Sequence, residues 1–260
     1  MALFSFGAAR MAFADPDIEL VAGSDIIFYD GTTLSCYNGS VVACSTFGAT
    51  ATRTNSVGVI TETVTASSFN GWNITSDNGQ SFSPPCSVTQ ICLDQTNTNV
   101  TNAGASSVLE SFFAASGFTP RGPLLLTEAL TAANGTATTK GYAYGPNGTL
   151  GLSATAAPTL PAPFGTLSLT GFGICPGAAC PVAAAGPVSG TPPASPYNQA
   201  LEFDFTAGAV GGEYSATETI SASAAVPEPA SVVLLGWVLL AVAAGLRRRA
   251  TRPWLFANRS

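Results

Sequence analysis

Carboxylates are the side chains of this chain that could do acid–base chemistry, because the sequence contains no histidine. Without histidine, neither a Ser-His-Asp triad nor a Cys-His pair can form, and no phosphate-binding glycine loop or dinucleotide fingerprint is present. Glu202 and Asp204 lie two residues apart on a predicted strand, as do Asp15 and Asp17, so each pair shares a face. Two carboxyl groups facing each other across a cleft could cleave a glycosidic bond, although such pairs are more often solvated. The sequence favours a non-enzymatic protein, with a carbohydrate-active enzyme or carbohydrate-binding module that uses paired carboxylates as the alternative.

Oxygen ligands for calcium occur in two stretches rich in Asp and Asn. Extracellular modules often hold Ca²⁺ weakly with such ligands, but neither stretch has EF-hand spacing, and Asp and Asn are also ordinary turn formers. The first stretch is Asp94-x-x-Asn97-x-Asn99, and the second is Asp77-Asn78-Gly79. We favour the turn interpretation and expect no bound metal and no cofactor.

Aromatic residues offer a possible sugar-stacking platform at Trp72, Tyr142 and Tyr144. Aromatic rings present a flat apolar face to a ligand, but at alternate strand positions they more often pack in a core. Both interpretations remain open from the sequence alone.

The six cysteines fall into three close pairs. An even number of cysteines favours disulfides, and sequential pairing is the simplest connectivity. A zinc site is disfavoured, because the chain lacks histidine and no pair has C-x2-C spacing. The predicted bridges are Cys36–Cys44, Cys86–Cys92 and Cys175–Cys180.

Short runs of β-branched, aromatic and aliphatic residues recur between turn residues, which predicts a series of strands. These strands would position the side chains described above. Asn134-Gly135 and Asn147-Gly148 are typical hairpin turns, and the proline-rich stretch 176–196 is predicted to be an irregular loop. About nine strands at this spacing predict an antiparallel β-sandwich. The predicted strands are Ile18–Val21, Ile26–Tyr29, Val57–Thr65, Leu124–Leu130, Thr138–Tyr144, Leu150–Thr155, Thr166–Leu169, Leu201–Phe205 and Tyr214–Ala222.

One helix is predicted within this pattern. Ser107 and Glu110 have capping-box spacing, and Gly117 stands where a C-terminal cap belongs. Phe112 and Phe113 complete an apolar face at helical spacing with Val108 and Leu109, although these residues also suit a strand.

The C-terminal part has a different composition. Val226, Pro227, Glu228 and Pro229 form a stiff, non-helical collar, and residues 230–246 contain no charged side chain. A helix of that length spans roughly 26 Å, which is close to the thickness of bilayer hydrocarbon. The basic residues that follow place the tail on the cytoplasmic side by the positive-inside rule; the first three are Arg247, Arg248 and Arg249.

A Pro-Glu-Pro motif, an apolar helix and an arginine cluster in this order resemble the PEP-CTERM sorting signal of Gram-negative bacteria. The resemblance covers residues 226–260 and implies recognition by exosortase, a membrane protease-transpeptidase that is thought to cut at the motif. It also implies an inner-membrane-anchored precursor and a final location at the cell surface or in an extracellular polysaccharide matrix or biofilm. Members of the family usually end soon after the arginines, whereas this chain continues to Ser260.

The rest of the chain agrees with export. Residues 1–14 end in Ala12-Phe13-Ala14, a signal-peptidase pattern, although Arg10 interrupts the short apolar run and indicates a truncated signal peptide. The predicted ectodomain, residues 15–225, has 14 acidic residues and three basic ones, which disfavours nucleic acid as a partner. We therefore expect a mostly β protein with a sandwich ectodomain and one C-terminal transmembrane helix.

Overall fold

The computed structural model describes residues 16–222 with short gaps. The gaps are residues 57, 83–85, 87–90, 103–106, 120–121, 146–151, 157, 173–181, 195 and 209–210. The predicted signal peptide, Asp15, the Cys175–Cys180 pair and the whole sorting segment 226–260 lie outside the described residues.

The described part of the chain is mostly β, as predicted. Its only helical element is one turn of 3₁₀ helix at Cys44–Phe47, so no helix among the described residues is long and apolar enough to cross a membrane. The strands are β1 (Asp17–Ala22), β2 (Asp25–Tyr29), β3 (Leu34–Asn38), β4 (Val41–Val42), β5 (Thr50–Ser56), β6 (Val59–Phe69), β7 (Trp72–Phe82), β8 (Ile91–Asn102), β9 (Val108–Phe118), β10 (Leu124–Ala133), β11 (Gly135–Tyr144), β12 (Gly165–Phe172), β13 (Val182–Gly190), β14 (Tyr197–Ala207) and β15 (Gly212–Ala222).

The strands form two antiparallel sheets. Sheet A has the order β12-β11-β14-β9-β1-β2-β3-β4, and sheet B has the order β13-β10-β15-β8-β7-β6-β5. Every strand pair in both sheets is antiparallel. The first strand, β1, lies inside sheet A, and the last described strand, β15, lies inside sheet B between β10 and β8.

Apolar side chains from both sheets meet in one core, which makes the two sheets a sandwich. Alternate residues of β14 point into this core, among them Phe203 and Phe205. Tyr214 of sheet B contacts both rings, with ring centroids 4.9 and 4.7 Å away, and Trp72 of sheet B lies edge-on to Phe205. These aromatic contacts between the sheets fix their packing.

The predicted helix at residues 107–117 is wrong, because these residues form β9 between β14 and β1. Leu109 and Phe113 point into the core, while Phe112 is buried on the opposite face of sheet A. A strand buried on both faces lacks simple alternation, and so its apolar run imitates a helical face.

Three further expectations differ from the structure. Residues 182–190 of the expected loop form the edge strand β13, where a proline such as Pro187 is tolerated. The predicted strand Leu150–Thr155 is wrong, since its described residues 152–155 are not in a strand. Asn134 joins β10 of sheet B to β11 of sheet A, so this Asn-Gly pair does not turn a hairpin. Asn147-Gly148 lies outside the described residues.

Gly79 of β7 marks the tightest approach between the sheets. A Cβ at this position would overlap the Phe113 ring of β9. We expect Gly79→Ala to lower the free energy of unfolding by about 2–3 kcal/mol, because an overpacked core must shift to admit the methyl group. Urea denaturation measures this change, with Gly145→Ala as the control, since a Cβ at Gly145 meets nothing within 4 Å. Equal stability of the two variants would contradict the tight approach.

Candidate functional site

The outer face of sheet A carries a cluster of charged and aromatic side chains, here called the acidic face. They lie on four neighbouring strands and point away from the core, because strand residues alternate between faces. The members are Glu19 of β1, Glu110 and Phe112 of β9, Lys140 and Tyr142 of β11, and Glu202 and Asp204 of β14.

Strand register brings the charges of this face together. Lys140 of β11 lies directly opposite Glu202 of β14, and Asp204 lies opposite Glu110 of β9. The Lys140 ammonium contacts Glu202 Oε1 at 2.5 Å and Asp204 Oδ2 at 2.9 Å. The predicted pair of carboxylates therefore does share a face, and a lysine lies between its two members.

Tyr142 completes the contacts of Glu202. Its hydroxyl donates a hydrogen bond to Glu202 Oε2, while Lys140 occupies Oε1. Burial, reinforced by this bond and by the nearby carboxylates, raises the pKa of Tyr142 well above its usual range. Both oxygens of Glu202 thus accept hydrogen bonds from the protein, and the phenol remains a donor at physiological pH.

Asp204 accepts fewer hydrogen bonds than Glu202. Its Oδ2 accepts a hydrogen bond from Lys140, but its buried Oδ1 has no hydrogen-bond partner among the described residues. Burial and the Glu202 carboxylate raise the pKa of Asp204 to about 7, although Lys140 acts in the opposite direction. Burial therefore favours the protonated form of this carboxyl group.

Residues 152–156 and 158–160 cover part of the acidic face. Leu152 and Leu160 pack against apolar residues beside the carboxylates, including Phe112 and Tyr142. The backbone N–H of Ser153 donates to Glu19 Oε2 at 2.9 Å. Burial raises the pKa of Glu19 to about 8, although the Ser153 bond opposes this shift. The cover removes much of the face from water.

A second polar group lies inside the sandwich and forms the interior polar row. Its members occupy directly opposed positions on neighbouring strands of sheet B and point into the core. In strand order they are Arg53, Glu62, Gln95, Glu218 and Glu128, with Gly79 between Glu62 and Gln95. Arg53 forms an ion pair with Glu62 at 3.6 Å.

The carboxyl groups around this row are poorly hydrated. Burial, together with the charge of Glu128, raises the pKa of Glu218 well above its usual range. Burial raises the pKa of Glu128 to about 7. Burial also raises the pKa of Asp77 to about 6, although hydrogen bonds from Ser111 and Gln95 oppose that shift. Charge is costly in such an environment, so these groups favour the protonated form.

The interior polar row was not predicted from the sequence, although a signal for it exists. Tyr214, Ala216 and Ile220 lie on the inward face of β15. Glu218 is an even number of residues from each of them, so its side chain points in the same direction. A carboxyl group on the apolar side of an alternating strand is the pattern that predicts burial.

The Asp and Asn residues considered as calcium ligands do not lie in loops. They lie within strands β7 and β8. Asp77 and Asn97 point into the core, and Asp94 bonds Thr219 on the other face of sheet B. Among the described residues, no group of three or more Asp, Glu, Cys or His side chains could hold a metal ion.

The proposed sugar-stacking platform does not form. Trp72 is only 1% exposed and packs in the core against Phe205 and Tyr214. Tyr142 is buried and Tyr144 is half-buried; they lie two residues apart on β11 and so share the outer face of sheet A.

Two predicted disulfides are confirmed. Cys36 of β3 bonds Cys44, where the 3₁₀ turn begins, and their Cα atoms are 5.2 Å apart. Cys86 bonds Cys92 of β8 with a Cα separation of 4.1 Å. Both bridges close local loops, as their spacing predicts.

Fold and site together define a two-sheet antiparallel β protein with local disulfides and a partly covered acidic face. No model of a known protein family matches the chain, and a search of curated proteins finds no match either.

Proposed function

We propose that the chain is an exported, non-enzymatic surface or extracellular-matrix protein. The observation that carries this proposal is the ordered C-terminal signal: the Pro227-Glu228-Pro229 motif, the apolar residues 230–246 and the cluster Arg247–Arg249. The two disulfides support it, because such bonds persist in oxidising compartments outside the cytoplasm.

In this proposal the C-terminal segment first holds a precursor in the inner membrane. An exosortase-type protease then recognises the Pro-Glu-Pro collar, and the sandwich reaches the cell surface or an extracellular polysaccharide matrix. Arginines resist passage through hydrocarbon, and an extended proline-rich collar is accessible to a protease. The last described strand ends at Ala222, four residues before Val226, so cleavage at the collar would leave the sandwich intact.

Changing Pro227, Glu228 and Pro229 together to alanine tests this proposal. We expect an uncut, membrane-held precursor in an exosortase-bearing host, because a helical collar removes the recognition element and keeps the apolar anchor. Removal of residues 230–260 should instead release the sandwich into the periplasm. Fractionation with terminal mass spectrometry separates the two results. Normal maturation of the alanine variant would sink the proposal.

A carbohydrate-active enzyme or carbohydrate-binding module is the second candidate. It is favoured by one observation, that Glu202 and Asp204 contact the same ammonium and so lie within roughly 5 Å, the spacing of retaining glycosidases. Lys140 neutralises the pair, however, and a catalytic pair needs one free nucleophilic carboxylate. Polysaccharide hydrolysis that is lost in Glu202→Gln would favour this candidate over the matrix protein.

A further inference from the structure

Lys140 is the only lysine in the chain, and it lies between two carboxyl groups on the acidic face of sheet A. Surface lysines are normally hydrated and mobile, whereas this ammonium is in direct contact with Glu202 and Asp204. The three groups come from adjacent strands β11 and β14, so the sheet itself fixes their separation. An amine that is held in contact with a carboxyl group is already at a distance from which the two groups could form an amide.

We propose that Lys140 and Asp204 form an intramolecular isopeptide bond, with Glu202 as the proton carrier. Lys140 first gives a proton to Glu202, and the neutral amine attacks Cγ of Asp204, which forms the N–C bond. One Cγ–O bond then breaks, and the hydroxyl group of the neutral Asp204 acid leaves as water with one proton of the original ammonium. The amide nitrogen keeps one proton, and Glu202 releases to solvent the proton that it received and ends unchanged, so the reaction needs no oxidant, metal or co-reactant.

The local environment supports each step. Glu202 Oε1 lies 2.5 Å from the amine nitrogen, within reach of direct proton transfer. Asp204 Oδ1 is buried, and no described residue donates a hydrogen bond to it, which disfavours the ionised carboxylate and favours the neutral acid that an amine can attack. Tyr142 bonds the other oxygen of Glu202 and so holds that carboxylate in position.

The main opposing effect is the charge of the lysine. Burial acts to lower the pKa of Lys140, but its contacts with Glu202 and Asp204 raise it overall, so the neutral amine is rare. A rare reactive form suffices here, because the bond forms once per molecule and the reactants are already in place. The buried position of Asp204 Oδ1 limits the access of water to the carbonyl group of the new amide, which water would otherwise hydrolyse.

Peptide mapping of the purified full chain tests the bond directly. Trypsin cuts after free lysine, so an unlinked chain yields the peptide of residues 122–140, bounded by Arg121 and Lys140. An amide on Lys140 abolishes that cut, and we expect the 122–140 peptide to be missing after reduction and denaturation. A chymotryptic digest should contain a branched peptide, lighter by one water than its two parts. An amine-reactive ester should label the α-amino group alone.

Variants supply the controls. Lys140→Arg keeps the charge but cannot condense, and Glu202→Gln keeps the shape but cannot carry the proton, so both should lack the branched peptide. Asp94→Asn, which alters a carboxyl group on sheet B, should retain it. Lys140→Arg should also melt roughly 10 °C lower, since a covalent link of this span restricts the unfolded chain as a disulfide does. Release of the 122–140 peptide in full yield from the unaltered protein, with labelled Lys140, would overturn the proposal whatever the variants do.

Discussion

The sandwich is expected to lose several kcal/mol of stability when the pH rises from about 5 to about 8, because each proton retained by the fold contributes about 1.4 kcal/mol per pH unit. Burial raises the pKa of Glu128 to about 7 and of Glu19 to about 8, and the pKa of Glu218 lies well above the usual range. In the unfolded chain these groups release their protons near pH 4.5.

The sign of this effect follows from proton binding. A carboxyl group whose folded pKa is raised binds its proton more tightly in the native state, so unfolding releases protons. Stability is therefore highest in mild acid and falls as pH increases from the unfolded to the folded pKa. Equilibrium urea denaturation at several pH values measures the slope.

Glu218→Gln identifies one contributor to this slope. The amide keeps the shape of the side chain but cannot ionise, so we expect the pH dependence above about pH 5 to decrease by the contribution of one proton, about 1.4 kcal/mol per pH unit. Glu213→Gln, exposed on the same strand, is the matched control and should leave the slope unchanged. Stability that stayed constant across this pH range would show that the interior carboxyl groups ionise without cost.

Removal of both described disulfides is the second large effect. We expect alanine at Cys36, Cys44, Cys86 and Cys92 to lower the free energy of unfolding by about 5 kcal/mol, since each short loop contributes about 2–3 kcal/mol. Alanine is chosen because Cys36 and Cys92 are buried and would leave a polar serine poorly hydrated.

Reductant gives the control for this prediction. Dithiothreitol should destabilise the unaltered protein to a similar extent and have a smaller effect on the four-alanine variant, which retains only Cys175 and Cys180. Urea denaturation with and without reductant measures both changes. A four-alanine variant within about 1 kcal/mol of the unaltered protein would show that packing, rather than cross-linking, holds these loops.

Much of the fold could be predicted from the sequence, because alternation and turn residues are local signals. They indicated strands at Tyr214–Ala222 and Leu201–Phe205, both of which lie within strands of the structure. They failed for β9, which is buried on both faces, and for edge strand β13, whose proline and small residues indicated a loop. In both cases the position in the sheet decides the structure, and position is not a local property.

The candidate site was predicted only in part, for the same reason. Spacing on one strand sufficed to place Glu202 beside Asp204. The contact with Lys140 depends on the register between β11 and β14, which are separated by more than fifty residues of chain. The interior polar row depends on five such registers at once, and no local pattern contains them.

The interior position of β15 in sheet B determines when this sheet can be completed. A ribosome makes the chain from its N-terminus. Until Gly212–Ala222 has emerged, β10 and β8 have no strand between them, and sheet B remains split into two parts. The aromatic contacts of Tyr214 with Phe203 and Phe205 are also missing until then. Closure of the sandwich is therefore a late step of synthesis.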